Sequence, residues 1–126
     1  MSDARQHQAL ELLRRGRPMA AVVPASTGGR CGWVGVYPLD RTRSGTASLL
    51  ARRATVAPPA DVPIFRVRRF EVLEALSTAD ASVGEDDLLD PSDEIAVGPE
   101  GLRVALGRFG VDVADLKQPW ATDYPI

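Results

Sequence analysis

Two short apolar runs, residues 19–23 and 32–39, flank the segment Ala25-Ser26-Thr27-Gly28-Gly29-Arg30. The second run carries Trp33, Val34, Val36 and Tyr37, residue types that suit a pleated surface. A glycine pair between two such runs supplies the backbone freedom of a tight reversal. The spacing therefore predicts an antiparallel hairpin, with a loop longer than the minimal two residues and a register left open. Residues 62–70 alternate, with Phe65 and Val67 on one face and Ile64, Arg66 and Arg68 on the other, which predicts a third strand. Helical signals lie at either end of the chain. Ser2 or Asp3 is placed to cap a helix through about Arg15, with Ala9, Leu10, Leu12 and Leu13 as its stripe and Gly16 then Pro18 to end it. Pro99 suits the first turn of a helix through Phe109, with Leu102, Ala105, Leu106 and Phe109 inward, Gly110 as its stop and Val111 as the apolar contact that follows such a cap. The expected fold is α+β: a small, mostly antiparallel sheet with helices at both ends of the chain, forming a single domain over residues 1–126.

The remaining segments are less distinctive. Residues 41–47 read as a polar loop, 47–54 as a short helix or an edge strand, and Pro58-Pro59 as a firm break. Residues 71–79 turn helical, with Val72, Leu73, Ala75 and Leu76 apolar and the acids at the N-terminal end, where the helix dipole favours them. Residues 80–94 read as a loop dense in acids, broken by Leu88-Leu89. Asp112 is placed to cap a last short helix to about Lys117. The tail, Pro119-Trp120-Ala121-Thr122-Asp123-Tyr124-Pro125-Ile126, is aromatic and twice interrupted by proline.

Composition removes several classes of function. The chain has 126 residues, 44% apolar and 25% charged, which is enough for one packed core and is unlike a disordered segment. No apolar run approaches the roughly 20 residues that span a bilayer, and residues 1–8 lack the apolar stretch of a secretory signal. A cytosolic, cytoplasmic protein is the expectation. Cys31 is the only cysteine and His7 the only histidine, so an internal disulfide is impossible and a Cys/His metal site is not expected. Cys31 lacks a neighbouring base to hold it as thiolate. Thr27-Gly28-Gly29-Arg30 lacks the Lys-Ser/Thr and helix start of a phosphate loop. No catalytic residue, cofactor or metal is nominated, and the chain is not expected to be an enzyme. A small enzyme using substrate-assisted chemistry would have no residue here to assign.

Charge is divided along the chain. Residues 1–70 hold twelve arginines against four acids, 12 − 4 = +8, and residues 71–126 hold three bases against thirteen acids, 3 − 13 = −10. The acids Glu85, Asp86, Asp87, Asp90, Asp93 and Glu94 do not have the alternating ligand spacing of a calcium loop. They read either as a solvated face or, with Trp120 and Tyr124 as aromatic anchors, as a surface that steers and holds a basic protein. The arginines offer a competing reading, a nucleic-acid-binding or regulatory module using Arg14, Arg15, Arg17, Arg66, Arg68 and Arg69. An isoelectric point near 5.3 argues against dedicated nucleic-acid binding. A third outcome is that the two halves neutralise each other within the fold.

A compact α+β chain without a chemical motif, with acids from Glu85 to Glu94 and the closing Pro119-Trp120-Ala121-Thr122-Asp123-Tyr124-Pro125, resembles the small bacterial immunity proteins that accompany polymorphic and contact-dependent growth-inhibition toxins. That resemblance implies non-enzymatic inhibition. The protein would bind a basic toxin domain, such as a nuclease, and occlude its active surface.

Overall fold

The computed structural model describes residues 2–40, 61–78, 83–122 and 124–125. The expectations for residues 41–60, including Arg41, Arg43, Arg52, Arg53 and Pro58-Pro59, lie outside them, as do the side chains of Ser2 and Asp3. The first helix, α1, spans Ser2–Arg14. It ends where Gly16 takes a left-handed φ of 86°, and the Arg17 N–H donates to the Leu12 carbonyl at 3.1 Å. Ala9 and Leu13 are buried, with Leu10 and Leu12 packed partly against them.

The hairpin forms as the glycine pair predicts. Strands β1 (Met19–Val23) and β2 (Arg30–Pro38) pair antiparallel with Met19 opposite Val36 and Val23 opposite Gly32. Strand β3 (Ile64–Leu73) pairs with β2, and β4 (Leu89–Val97) pairs with β3, so the order is β1-β2-β3-β4 and every neighbour is antiparallel. The fold is α+β, as expected.

Two strands depart from the sequence reading. Strand β3 continues through Glu71, Val72 and Leu73, and the short helix α2 begins only at Glu74 (Glu74–Thr78). The alternation of residues 65–70 simply runs on: Val72 is buried opposite Cys31, and Glu71 lies opposite Gly32 with its carboxylate bonded by Ser26 and Arg69. Likewise residues 89–94 form strand β4, not loop. Its acids survive in a strand because arginines of β3 lie across from it.

The two faces of the sheet bury different groups. Val34, Val36, Phe65, Val67 and Ala96 face α1 and the helix α3 (Gly98–Gly107), whose Leu102, Ala105 and Leu106 are fully or almost fully buried. Gly110 then takes φ 71°, and the Val111 N–H donates to the Leu106 carbonyl at 3.0 Å with the Val111 side chain buried. Open space surrounds the position a Gly110 Cβ would occupy, so Gly110→Ala would report backbone strain alone. It should destabilise by about 1 kcal/mol in urea denaturation. After it, Asp112 caps a single 3₁₀ turn (Val113–Asp115) instead of a helix to Lys117. The Asp112 carboxylate accepts from the Ala114 N–H at 2.8 Å and the Asp115 carboxylate accepts from the Asp112 N–H at 3.0 Å.

Among the described residues, the opposite face is covered by short turns and extended chain. Trp33, Phe70, Val72 and Leu88 form a second cluster there, beneath residues 83–88 and the tail. No helix among the described residues is long and apolar enough to cross a membrane.

Candidate protein-binding surface

The tail is tied to the sheet at several points. The Trp33 indole N–H donates to the Thr122 carbonyl at 2.8 Å, in a buried position. A 3₁₀ turn (Pro119–Thr122) is closed by the Ala121 N–H on the Gln118 carbonyl at 2.9 Å and by the Thr122 hydroxyl on the Pro119 carbonyl at 2.9 Å. Tyr124 then lies over Gly35, edge-on to Phe70 with ring centroids 5.4 Å apart, and its hydroxyl meets the Tyr37 hydroxyl. Burial, then the Tyr37 hydroxyl, pushes the Tyr124 phenol far above its ordinary range, so it stays protonated.

That anchoring fixes where the two candidate aromatic anchors point. Tyr124 is turned inward and packs the second cluster. Trp120 stands outward, 73% exposed, on a turn whose neighbours on either side are bonded to the sheet. Val22 of β1, paired with Trp33 and so on the same face, is 63% exposed. The tail was legible as aromatic; which ring faces solvent was decided by Gly35.

The acids divide in the same way. Arg66 grips Asp93 with two nitrogens, the shorter contact at 2.6 Å, and Arg30 meets Asp90 at 3.0 Å. Glu94 pairs with Arg108 at 2.6 Å on the helix side of the sheet. Asp87 accepts from the Gly84 N–H at 2.9 Å and closes the 3₁₀ turn Glu85–Asp87. Glu85 is bonded by both terminal nitrogens of Arg68 yet remains largely exposed. The hydrogen bond from Arg68 holds the Glu85 carboxyl below its usual range, and the same bond raises the arginine. Asp86 is exposed, with no ion pair among the described residues. Part of the charge division is thus neutralised within the fold, where Arg30 of β2 and Arg66, Arg68 and Arg69 of β3 hold Glu71, Glu85, Asp90 and Asp93. Glu85, Asp86, Asp90 and Trp120 remain as the outward part of the nominated set, with Glu85, Asp86 and Trp120 on the chain covering one sheet face.

The strand arginines are engaged by the same pairs. Arg66 and Arg68 are bonded as above, and Arg69 meets Glu71 at 2.9 Å. Arg14 and Arg15 both lie within 3.6 Å of Glu11.

One polar cluster was not anticipated. Glu71 is 0% exposed. Its carboxylate accepts the Ser26 N–H at 3.2 Å and the Ser26 hydroxyl at 3.0 Å, along with Arg69, and has Arg30 at 3.7 Å. Burial alone would raise its pKa, but the bonds from Arg69 and Ser26 outweigh that, and the carboxyl is held below its ordinary value. A carboxylate stabilised in this way is a poor proton acceptor, so it does not activate Ser26. Its effect is to pin the hairpin loop to the end of β3.

No group of metal-ligating side chains occurs among the described residues. His7 is exposed on α1, and Cys31 is half-buried on β2.

The chain matches no protein-family model, no curated protein and no solved structure.

Proposed function

We propose that this chain is a non-enzymatic binding protein of the immunity type, which occludes the active surface of a basic toxin domain such as a nuclease. The observation that carries the reading is Trp120, a large aromatic held outward on a backbone bonded to the sheet. An exposed indole on a pinned turn loses little conformational freedom on binding, which is what an interface anchor requires. Glu85 and Asp86 supply negative charge on the same face and steer a cationic partner toward it. The alternative, nucleic-acid binding through the strand arginines, is disfavoured because Arg66, Arg68 and Arg69 each hold a carboxylate of the same chain.

The test is to titrate the chain against the effector domain encoded in the neighbouring reading frame. A complex that abolishes effector activity is expected. Trp120→Ala should weaken it about thirtyfold or more, the scale of an interface hot spot. Glu85→Gln with Asp86→Asn should slow association and flatten its salt dependence while leaving dissociation nearly unchanged. A neighbouring frame without such a domain, or a complex indifferent to Trp120→Ala, overturns the reading.

A further inference from the structure

A second site, argued from other side chains than Trp120, lies where the start of α1, the Val113–Asp115 turn and β1 come together, and it borders the Trp120 turn at Ala121 and Thr122. Two adjoining clefts of about 340 Å³ each open there, and Arg5, Ala114 and Lys117 line both, so these three form the shared rim. Among the described residues Arg5 and Lys117 hold no carboxylate, whereas every other described arginine except Arg17 is ion-paired. Two unneutralised cations on one rim favour an anion.

Three further observations narrow the ligand. Part of the first cleft's lining is apolar, from Ala9, Leu12, Met19 and Leu116, which gives a hydrocarbon group a place beside the anion. Gln118 lines the same cleft, and its side-chain oxygen is buried and has no hydrogen-bond partner among the described residues, which leaves an acceptor for an N–H. Asp115 lines the second cleft, which disfavours a polyanion running through both. One carboxylate, one apolar side chain and one N–H on adjacent atoms describe the last residue of a peptide.

The second cleft fits the residues before it. Ala20 of β1 exchanges both backbone bonds with Lys117, at 2.7 and 2.8 Å, so its polar groups point away from β2. By strand alternation the N–H and C=O of Val22 point the same way, along the second cleft, where an extended chain can pair with them.

We propose that this double cleft captures the carboxyl terminus of a peptide ending in an apolar residue. The carboxylate lies between Arg5 and Lys117, the terminal side chain rests on Leu12 and Met19, the terminal N–H donates to Gln118, and the preceding residues extend along β1 at Val22.

The experiment is an amide chemical-shift titration of the full chain with N-acetyl-Ala-Val-Leu bearing a free carboxylate, with the same peptide as its carboxamide, and with octanoate, which offers the anion and the hydrocarbon but no N–H. The free peptide should give saturable shifts at Leu12, Met19, Val22 and Gln118, and the carboxamide should bind about tenfold more weakly or worse for want of the charge-assisted bonds. The double variant Arg5→Gln with Lys117→Gln should lose about as much, its spectrum elsewhere showing that it remains folded. Gln118→Leu should weaken the peptide and spare octanoate. Equal binding of carboxylate and carboxamide, an octanoate affinity matching the peptide's, shifts that persist in the double variant, or no saturable shift at these residues overturns the proposal.

Discussion

Glu71→Ala should destabilise the fold by about 3–5 kcal/mol, the cost of removing one partner from a buried ion pair. The carboxylate has no exposed surface and is the acceptor for Ser26 and Arg69 together, with Arg30 close by. Its loss leaves the Ser26 N–H without its acceptor and Arg69 without its counter-charge, while Arg30 keeps Asp90. Both arginines reach solvent in part, with side chains 20% and 27% exposed, so water relieves some of the penalty and the lower end of the range is the expected one. Urea denaturation measures the loss, and faster hydrogen exchange at the Ser26 amide reports the freed loop. Glu71→Gln keeps the shape but removes the charge, and should cost less, about 1–3 kcal/mol.

The same group sets a direction with pH. Folding lowers the Glu71 pKa, because the bonds from Arg69 and Ser26 outweigh burial. The folded state is therefore favoured by the ionised form. That contribution is complete above the ordinary carboxyl value of 4.5 and is lost as pH falls through the lower folded-state value. The acid limb of the stability curve should be flatter in Glu71→Gln than in the parent. Identical limbs would show that the Ser26 loop is held by something else.

What could be read from the sequence was local. Ala9 and Leu13 before Gly16, and Leu102, Ala105 and Leu106 before Gly110, follow helical periodicity and end at left-handed glycines, and both helices lie where those signals put them. The hairpin was equally plain from its glycine pair. Strand β4 was hidden because its polarity answers to residues outside it: Asp93 and Glu94 look like solvated loop until Arg66 of β3 and Arg108 at the end of α3 are brought beside them. Glu71 looked like a helix start for the same reason, since Ser26 lies 45 positions away in sequence. Trp120 and Tyr124 carry no local signal that separates the outward ring from the inward one. Their difference comes from contact with Gly35 and Trp33, nearly ninety positions earlier.

Gly35 is accordingly where the second large effect is expected. A glycine inside a strand is ordinarily a weakness, and valine has the better strand propensity. On that basis Gly35→Val would stabilise β2. Here the reverse should hold, because a Cβ at Gly35 would collide with the Tyr124 hydroxyl, would come within 2.9 Å of its ring carbon Cζ, and would press on Tyr37 at 3.1 Å. The Tyr124 ring has to leave, and with it go the edge contact to Phe70 and the seal over Trp33. Overpacking together with the Trp33–Thr122 hydrogen bond puts the cost at about 2–4 kcal/mol. Trp33 emission should shift to the red as water reaches the indole, which a Trp120→Phe background isolates from the exposed tryptophan. Adding Tyr124→Ala to Gly35→Val should restore part of the lost stability, because the double variant removes the clash that the single one creates. Strictly additive losses would mean that the tail is not braced against Gly35. Non-additivity, with binding of the proposed basic partner weakened in Gly35→Val while Trp120 itself is untouched, would tie the outward pose of Trp120 to the glycine beneath Tyr124.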